Sequence, residues 1–190
     1  MAGANRKTSE MCTIVITGHR PHRLGTEYKY PSVKMERIRS QMEKVIQENN
    51  CTKLIIGMAM GVDTLGAMIA ITFKIPFIAA VPFHGQELNW FQPHRATYYD
   101  LLCNAESVKY VHADEKFKPY KFQSGYLSQF YQDRNEWMVD QLSAPNDLVL
   151  SVWDGKRGGT KNCIEYARSK TPKLRITNID PITFEITQLQ

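Results

Sequence analysis

The chain has 190 residues, 43% of them hydrophobic, which is enough to bury one continuous core and makes a single domain the economical reading. A net charge of +5 permits phosphate-bearing partners without naming them, and the basic residues are spread along the chain instead of gathering in the tract that would argue for nucleic acid. No apolar run reaches the roughly 18–20 residues that span a bilayer and the polar start lacks the apolar centre of a signal peptide, so a soluble, cytoplasmic protein without membrane contact is expected.

Residues 1–11 read as a flexible tail and 12–190 as one domain. Residues 12–17 (CTIVIT) have the β-branched content of a buried strand and run straight into Gly18, His19, Arg20 and Pro21. Over 32–48 the apolar residues Val33, Ile38, Met42, Val45 and Ile46 recur at helical spacing, with Ser32 placed to cap the start. A second strand, 53–56, ends in Gly57, Met58, Ala59, Met60, Gly61, Val62 and Asp63. A helix over 63–73 follows, and its small residues Gly66, Ala67 and Ala70 permit close packing on a sheet. Residues 76–81 are a third strand, after which Pro82, Phe83, His84, Gly85, Gln86, Glu87 and Trp90 are expected in a loop. A helix over 93–103 and a strand over 107–111 come next. The lysine-bearing, aperiodic residues 114–123 read as a mobile or ligand-covering loop, and 124–142 as a long helix carrying Arg134 and Asn135. The remaining pattern is a strand over 148–153, a helix over 162–170, a strand over 174–177 and a short edge strand over 183–186.

Strand and helix alternate along this whole series, which argues for an α/β fold with a mostly parallel sheet covered on both faces. Such sheets bind ligands outside the carboxyl ends of the strands, at the point where strand order reverses. The loops at 18–20, 57–63, 82–90 and 154–160 all follow strands and are therefore expected on one edge of the sheet.

The segment over 147–167, DLVLSVWDGKRGGTKNCIEYA, orders a strand, a glycine-bearing turn and a helix. Backbone without side chains approaches an anion closely, and the free N–H groups opening a helix favour a phosphate there. Gly158, Gly159 and Thr160 supply the turn and a hydroxyl, while Lys156, Arg157 and Lys161 add positive charge. A tight surface turn would show the same glycines. Cys12, Cys51, Cys103 and Cys163 form no CxxC pair, and no histidine cluster has zinc spacing, so no disulfide framework, metal site, cofactor or nucleophilic cysteine is expected.

The stretches ITGHRP (16–21), GMAMGVD (57–63), VPFHGQELNW (81–90), YQDRNEWMVD (131–140) and VWDGKRGGTKN (152–162) occur in this order. Together they resemble the YpsA-like proteins of the SLOG superfamily, which also includes DprA/Smf and LOG-type proteins. The resemblance spans residues 12–177 and implies a Rossmann-like three-layer αβα sandwich, a pocket for a nucleotide-derived small molecule such as an ADP-ribose-like ligand or a nucleoside phosphate, and a homo-oligomer, dimer or larger. LOG-type enzymes cleave the N-glycosidic bond of nucleoside monophosphates with a helical arginine and a glutamate just after a PGGxGT turn. Arg134 resembles that arginine. Asn162 stands where the enzymes place a carboxylate, and an amide neither acts as a general base nor stabilises an oxocarbenium ion by charge. The implied role is a sensor or sequestering protein, with LOG-like hydrolysis using Glu87 or Glu165 as one alternative and DprA-like single-stranded nucleic-acid binding as a lesser one.

Several residues admit two readings. Arg134 and Asn135 contact a ligand phosphate, or Arg134 pairs with Asp133 or Glu136 on the surface. Asp63 accepts from a ribose or caps its helix. His19 and Arg20 touch phosphate, or His19 bonds its own loop. Phe83, Trp90 and Trp153 stack on a base or belong to core and subunit contacts. Gly18, Gly57, Met58, Ala59, Gly61, Pro82, Gln86, Asp154, Gly158, Gly159, Thr160 and Asn162 complete the expected ligand contacts.

Overall fold

The computed structural model describes residues 11–26, 32–116, 124–143 and 145–189. Most of the expected N-terminal tail and residues 117–123 of the expected loop lie outside the described residues.

The elements follow in the order β1 (Cys12–Gly18), α1 (Pro21–Leu24), α2 (Val33–Glu48), β2 (Cys51–Ile56), α3 (Val62–Phe73), β3 (Phe77–His84), α4 (Gln92–Cys103), β4 (Ser107–Lys116), α5 (Ser124–Asp140), β5 (Leu148–Val152), α6 (Gly159–Arg168), β6 (Arg175–Ile179) and β7 (Ile186–Leu189). The strands form one sheet in the order β4-β3-β2-β1-β5-β6-β7. Strands β1 to β6 run parallel, and β7 returns antiparallel to β6 with Ile179 opposite Ile186. The expected α/β, Rossmann-like three-layer architecture is therefore present. Among the described residues no helix is long and apolar enough to cross a membrane.

Strand alternation divides the core between the two faces of the sheet. Ile14, Ile16, Leu54, Ile56, Leu148 and Leu150 pack with the apolar stripes of α2, α3 and α4. Val15, Ile55 and Val149 face the other way, onto Met138 and Val139 of α5 and Cys163, Ile164 and Ala167 of α6. Helix α3 lies close on β1 because Gly66 has no side chain. A Cβ there would come 2.6 Å from Ile16 Cδ1. Ser32 caps α2 as expected, its Oγ accepting from Met35 N–H at 3.3 Å.

Three expectations need correction, and one element is new. Val33 is 81% exposed and Met35 takes the buried position instead, because the apolar stripe of α2 starts at its third residue. Strand β3 does not stop at Val81 but continues through Pro82, Phe83 and His84. The last β2–β3 pair is Ile56 with Ala79, so by Pro82 that side of β3 carries no ladder for a missing N–H to break. Strand β4 likewise extends through Asp114 to Lys116, residues expected in the mobile loop, and the register with β3 shifts there. The short helix α1, with Gly25 in the left-handed conformation at its end, carries no sequence period long enough to announce it.

Candidate functional site

Strand order reverses between β1 and β5, whose neighbours lie outward in opposite directions. The loops after these two adjacent strands border a cleft of about 520 Å³, a size suited to a small-molecule ligand. Its wall is built from Thr17 and Gly18 at the end of β1, His19 and Arg20 after it, His22 and Arg23 of α1, Ala59 and Asp63 after β2, one side of α5, and the start of α6.

Helix α6 opens into this cleft. Gly158 is its N-cap at φ 149°, a conformation that side chains rarely adopt, and Gly159, Thr160 and Asn162 also line the wall. The first i to i−4 bond of α6 runs from Asn162 N–H to Gly158 O at 3.1 Å. The earlier N–H groups have no intrahelical acceptor and, with the helix dipole, favour an anion. No acidic residue occupies the first turn.

The loops after β1 and β5 are tied by His19 and Asp154, with Nε2 and Oδ1 2.7 Å apart. Burial pushes the His19 pKa below its ordinary value against the pull of Asp154, so the ring is neutral near neutral pH. Burial pushes Asp154 up, but the hydrogen bonds from His19 and from Lys156 N–H outweigh it and bring the carboxyl down to about 2.

Beneath the cleft, Arg134 donates to Gly57 O and lies 3.7 Å from Asp63 Oδ2. The same Asp63 oxygen accepts from Ala59 N–H at 3.0 Å. Burial pushes Asp63 up and Arg134 down, each opposed by the partner's charge, so each group's charge depends on the other being in place. Gln86 supports the same turn through Met58 O at 3.3 Å. Met58, at φ 57°, is a non-glycine residue in the left-handed region. Three buried side chains therefore hold the turn after β2 in place.

The model of the YpsA family, described as the YspA SLOG family, matches residues 14–186. The chain belongs to this family. Among relatives, the SPbeta prophage-derived protein YoqJ of Bacillus subtilis (strain 168) is 29% identical over 139 residues, covering 70% of this chain and 79% of its own. A UPF0398 protein of Lysinibacillus sphaericus (strain C3-41) is 26% identical over 165 residues, covering 82% and 84%. The fold is similar to that of DNA processing protein A (DprA) from Streptococcus pneumoniae, with TM-score 0.56 and 16% identity. That match covers 90% of this chain and 51% of DprA, so the chain spans about half of that protein's length. The resemblance carried by the five sequence stretches thus holds for family and fold.

Of the ligand contacts expected in this YpsA-family chain, Gly18, His19, Arg20, Ala59, Asp63, Arg134, Asn135, Gly158, Gly159, Thr160 and Asn162 line the cleft. Asp63 is the second residue of α3, whose N-cap is Gly61, so it braces the turn and does not cap the helix. Arg134 pairs with Asp63, not with Asp133 or Glu136. The other expected contacts lie elsewhere. Gly57 faces Arg134, Phe83 is 1% exposed and packs edge-on to Tyr131, and Pro82 is a buried strand residue. Met58, Gly61 and Trp90 border a smaller apolar cavity of about 60 Å³ against α4, behind which Gln86 bonds Tyr98 Oη. Trp153 donates to Lys156 O at 2.7 Å and packs toward the second core cluster. Asp154 is engaged by His19. Of the candidate carboxylates, Glu87 is buried and accepts from Tyr99 Oη at 2.6 Å, and Glu165 is exposed and pairs with Lys161 at 3.1 Å.

Sequence reading missed Thr17, His22, Arg23, Ser128, Tyr131 and Gln132, all on the cleft wall. A signal existed for three of them. Ser128, Tyr131, Gln132 and Asn135 fall at i, i+3, i+4 and i+7, one face of a helix.

Proposed function

We propose that this chain binds a nucleotide or nucleotide-derived ligand, a nucleoside phosphate or an ADP-ribose-like molecule, in the cleft at the carboxyl edge of the sheet, as a sensor or sequestering protein and not as a catalyst. One observation carries the reading. The start of α6 opens into a roomy cleft at the strand-order reversal while the one carboxylate on its wall among the described residues, Asp63, is already paired with Arg134. A phosphate has a place to bind. Among the described residues the wall offers a glycosidic bond no free carboxylate, since Asn162 is an amide and neither Glu87 nor Glu165 is on the wall. A cytoplasmic location and a homo-oligomeric state fit the same reading.

The test is calorimetric titration of AMP, ADP and ADP-ribose into the whole chain, with chromatography of each mixture after prolonged incubation. Saturable one-to-one binding with intact ligand is the expected result. Released free base would replace the binder with a phosphoribohydrolase. Tight binding of a single-stranded oligonucleotide, weakening steeply with salt, would favour a nucleic-acid partner instead.

A further inference from the structure

Arg20 is the N-cap of α1 and Arg23 its third residue, and the two side chains lean on different walls of the cleft. The Arg20 guanidinium lies 5.1 Å from the centre of the Tyr131 ring on α5. That of Arg23 sits against the N-cap of α6, its Cζ 3.6 Å from where a Cβ on Gly158 would be. A cation at the positive end of a helix is electrostatically unfavourable, and no acidic residue in the first turn of α6 relieves it. Among the described residues neither arginine has a carboxylate within ion-pair distance, and the Asp63 carboxylate is engaged by Arg134. Arg134 itself, 5% exposed and on the same wall, has a buried Nε without a hydrogen-bond partner. Local conflicts of this kind concentrate where a ligand resolves them.

We infer that the cleft selects ligands with two linked phosphoryl groups, the first held by the start of α6 and Arg23, the second by Arg20. This rests on the nucleotide-binding reading above. A single phosphate at α6 meets Arg23 but leaves Arg20 against the Tyr131 ring of α5. A diphosphate brings both charges into use, each through charge-assisted, forked hydrogen bonds.

The experiment titrates inorganic phosphate, pyrophosphate, AMP and ADP at fixed ionic strength into the whole chain as wild type, Arg20→Ala and Arg23→Ala. Pyrophosphate is expected to bind at least tenfold tighter than phosphate, and ADP at least tenfold tighter than AMP. Arg20→Ala should narrow the gap between ADP and AMP to less than about threefold, and Arg23→Ala should weaken both. Thermal melts supply a readout that a purely structural role would not give. Without ligand, Arg23→Ala melts at or above the wild-type temperature, because it removes a cation from the positive end of α6. Equal affinities for AMP and ADP, wild-type ADP binding in both variants, or a lower melting temperature for unliganded Arg23→Ala would overturn the inference. If AMP and ADP bind tightly and alike, only the diphosphate inference falls; if no nucleotide binds, the nucleotide reading falls with it.

Discussion

Arg134 on α5 and Asp63 on α3 meet beneath the cleft, 3.7 Å apart and almost fully buried, so the helical arginine braces the turn after β2. Removing one member of a buried pair strands the other's charge and typically costs about 3–5 kcal/mol, whereas removing both is often close to neutral. Arg134→Met and Asp63→Leu are each expected to lower unfolding free energy by about that amount, and the double variant to recover at least half of it. Urea denaturation checks this. Additive losses would mean that the two residues act independently.

Gly57 makes this pairing possible. A Cβ at that position would collide with the Arg134 guanidinium and come 2.8 Å from Asp63 Oδ2. Gly57→Ala is therefore expected to cost about 2 kcal/mol or more, and to weaken ligand binding by displacing the turn. Comparison of melting curves and of ADP affinity with wild type tests both effects.

The neighbouring glycines of α6 should behave differently from one another. A Cβ on Gly159 would meet only Asn135 Nδ2, at 3.9 Å, and alanine in a helix is favoured over glycine by about 0.8–1 kcal/mol. Gly159→Ala should fold at least as stably as wild type yet bind nucleotide about tenfold more weakly, because the methyl stands where an anion approaches the backbone. Gly158→Ala, at φ 149°, should instead cost about 1 kcal/mol or more in stability. Equal stability for the two variants would contradict the strain assigned to Gly158.

Burial of His19 and the hydrogen bonds received by Asp154 set a pH dependence. Both groups have folded-state pKa values below their ordinary ones. The unfolded chain therefore takes up protons first as pH falls, and stability declines with acidification. The contribution of His19 is full above its unfolded value near 6.5 and is lost below it. That of Asp154 is full above about 3.8 and is lost as pH falls toward 2. Thermal melts from pH 8 to 5 should show the first decline in wild type and a flatter profile in His19→Gln. Parallel profiles would sink the assignment.

The order of strands and helices, the carboxyl-edge loops and the family motifs were legible because each depends on neighbours a few residues away. The β-branched run of β1, the capped stripe of α2 and the glycine turn before α6 are local patterns, and the chain has little choice in how to satisfy them. The destinations of Phe83, Trp90 and Arg134 were not legible. Phe83 follows a proline that reads as a strand end, yet β3 continues because its partner β2 has already stopped at Ile56. Trp90 leaves β3 toward α4 and borders a separate apolar cavity. Arg134 finds its counter-charge 71 positions away along the chain, at Asp63, because β1 and β5 are adjacent while β2 and β3 extend from one side. Sequence alone determined which residue types open each loop. Long-range parallel pairing, which no local propensity encodes, decided which loops share a cleft, which charges cancel beneath it, and that Arg20 and Arg23 remain facing it.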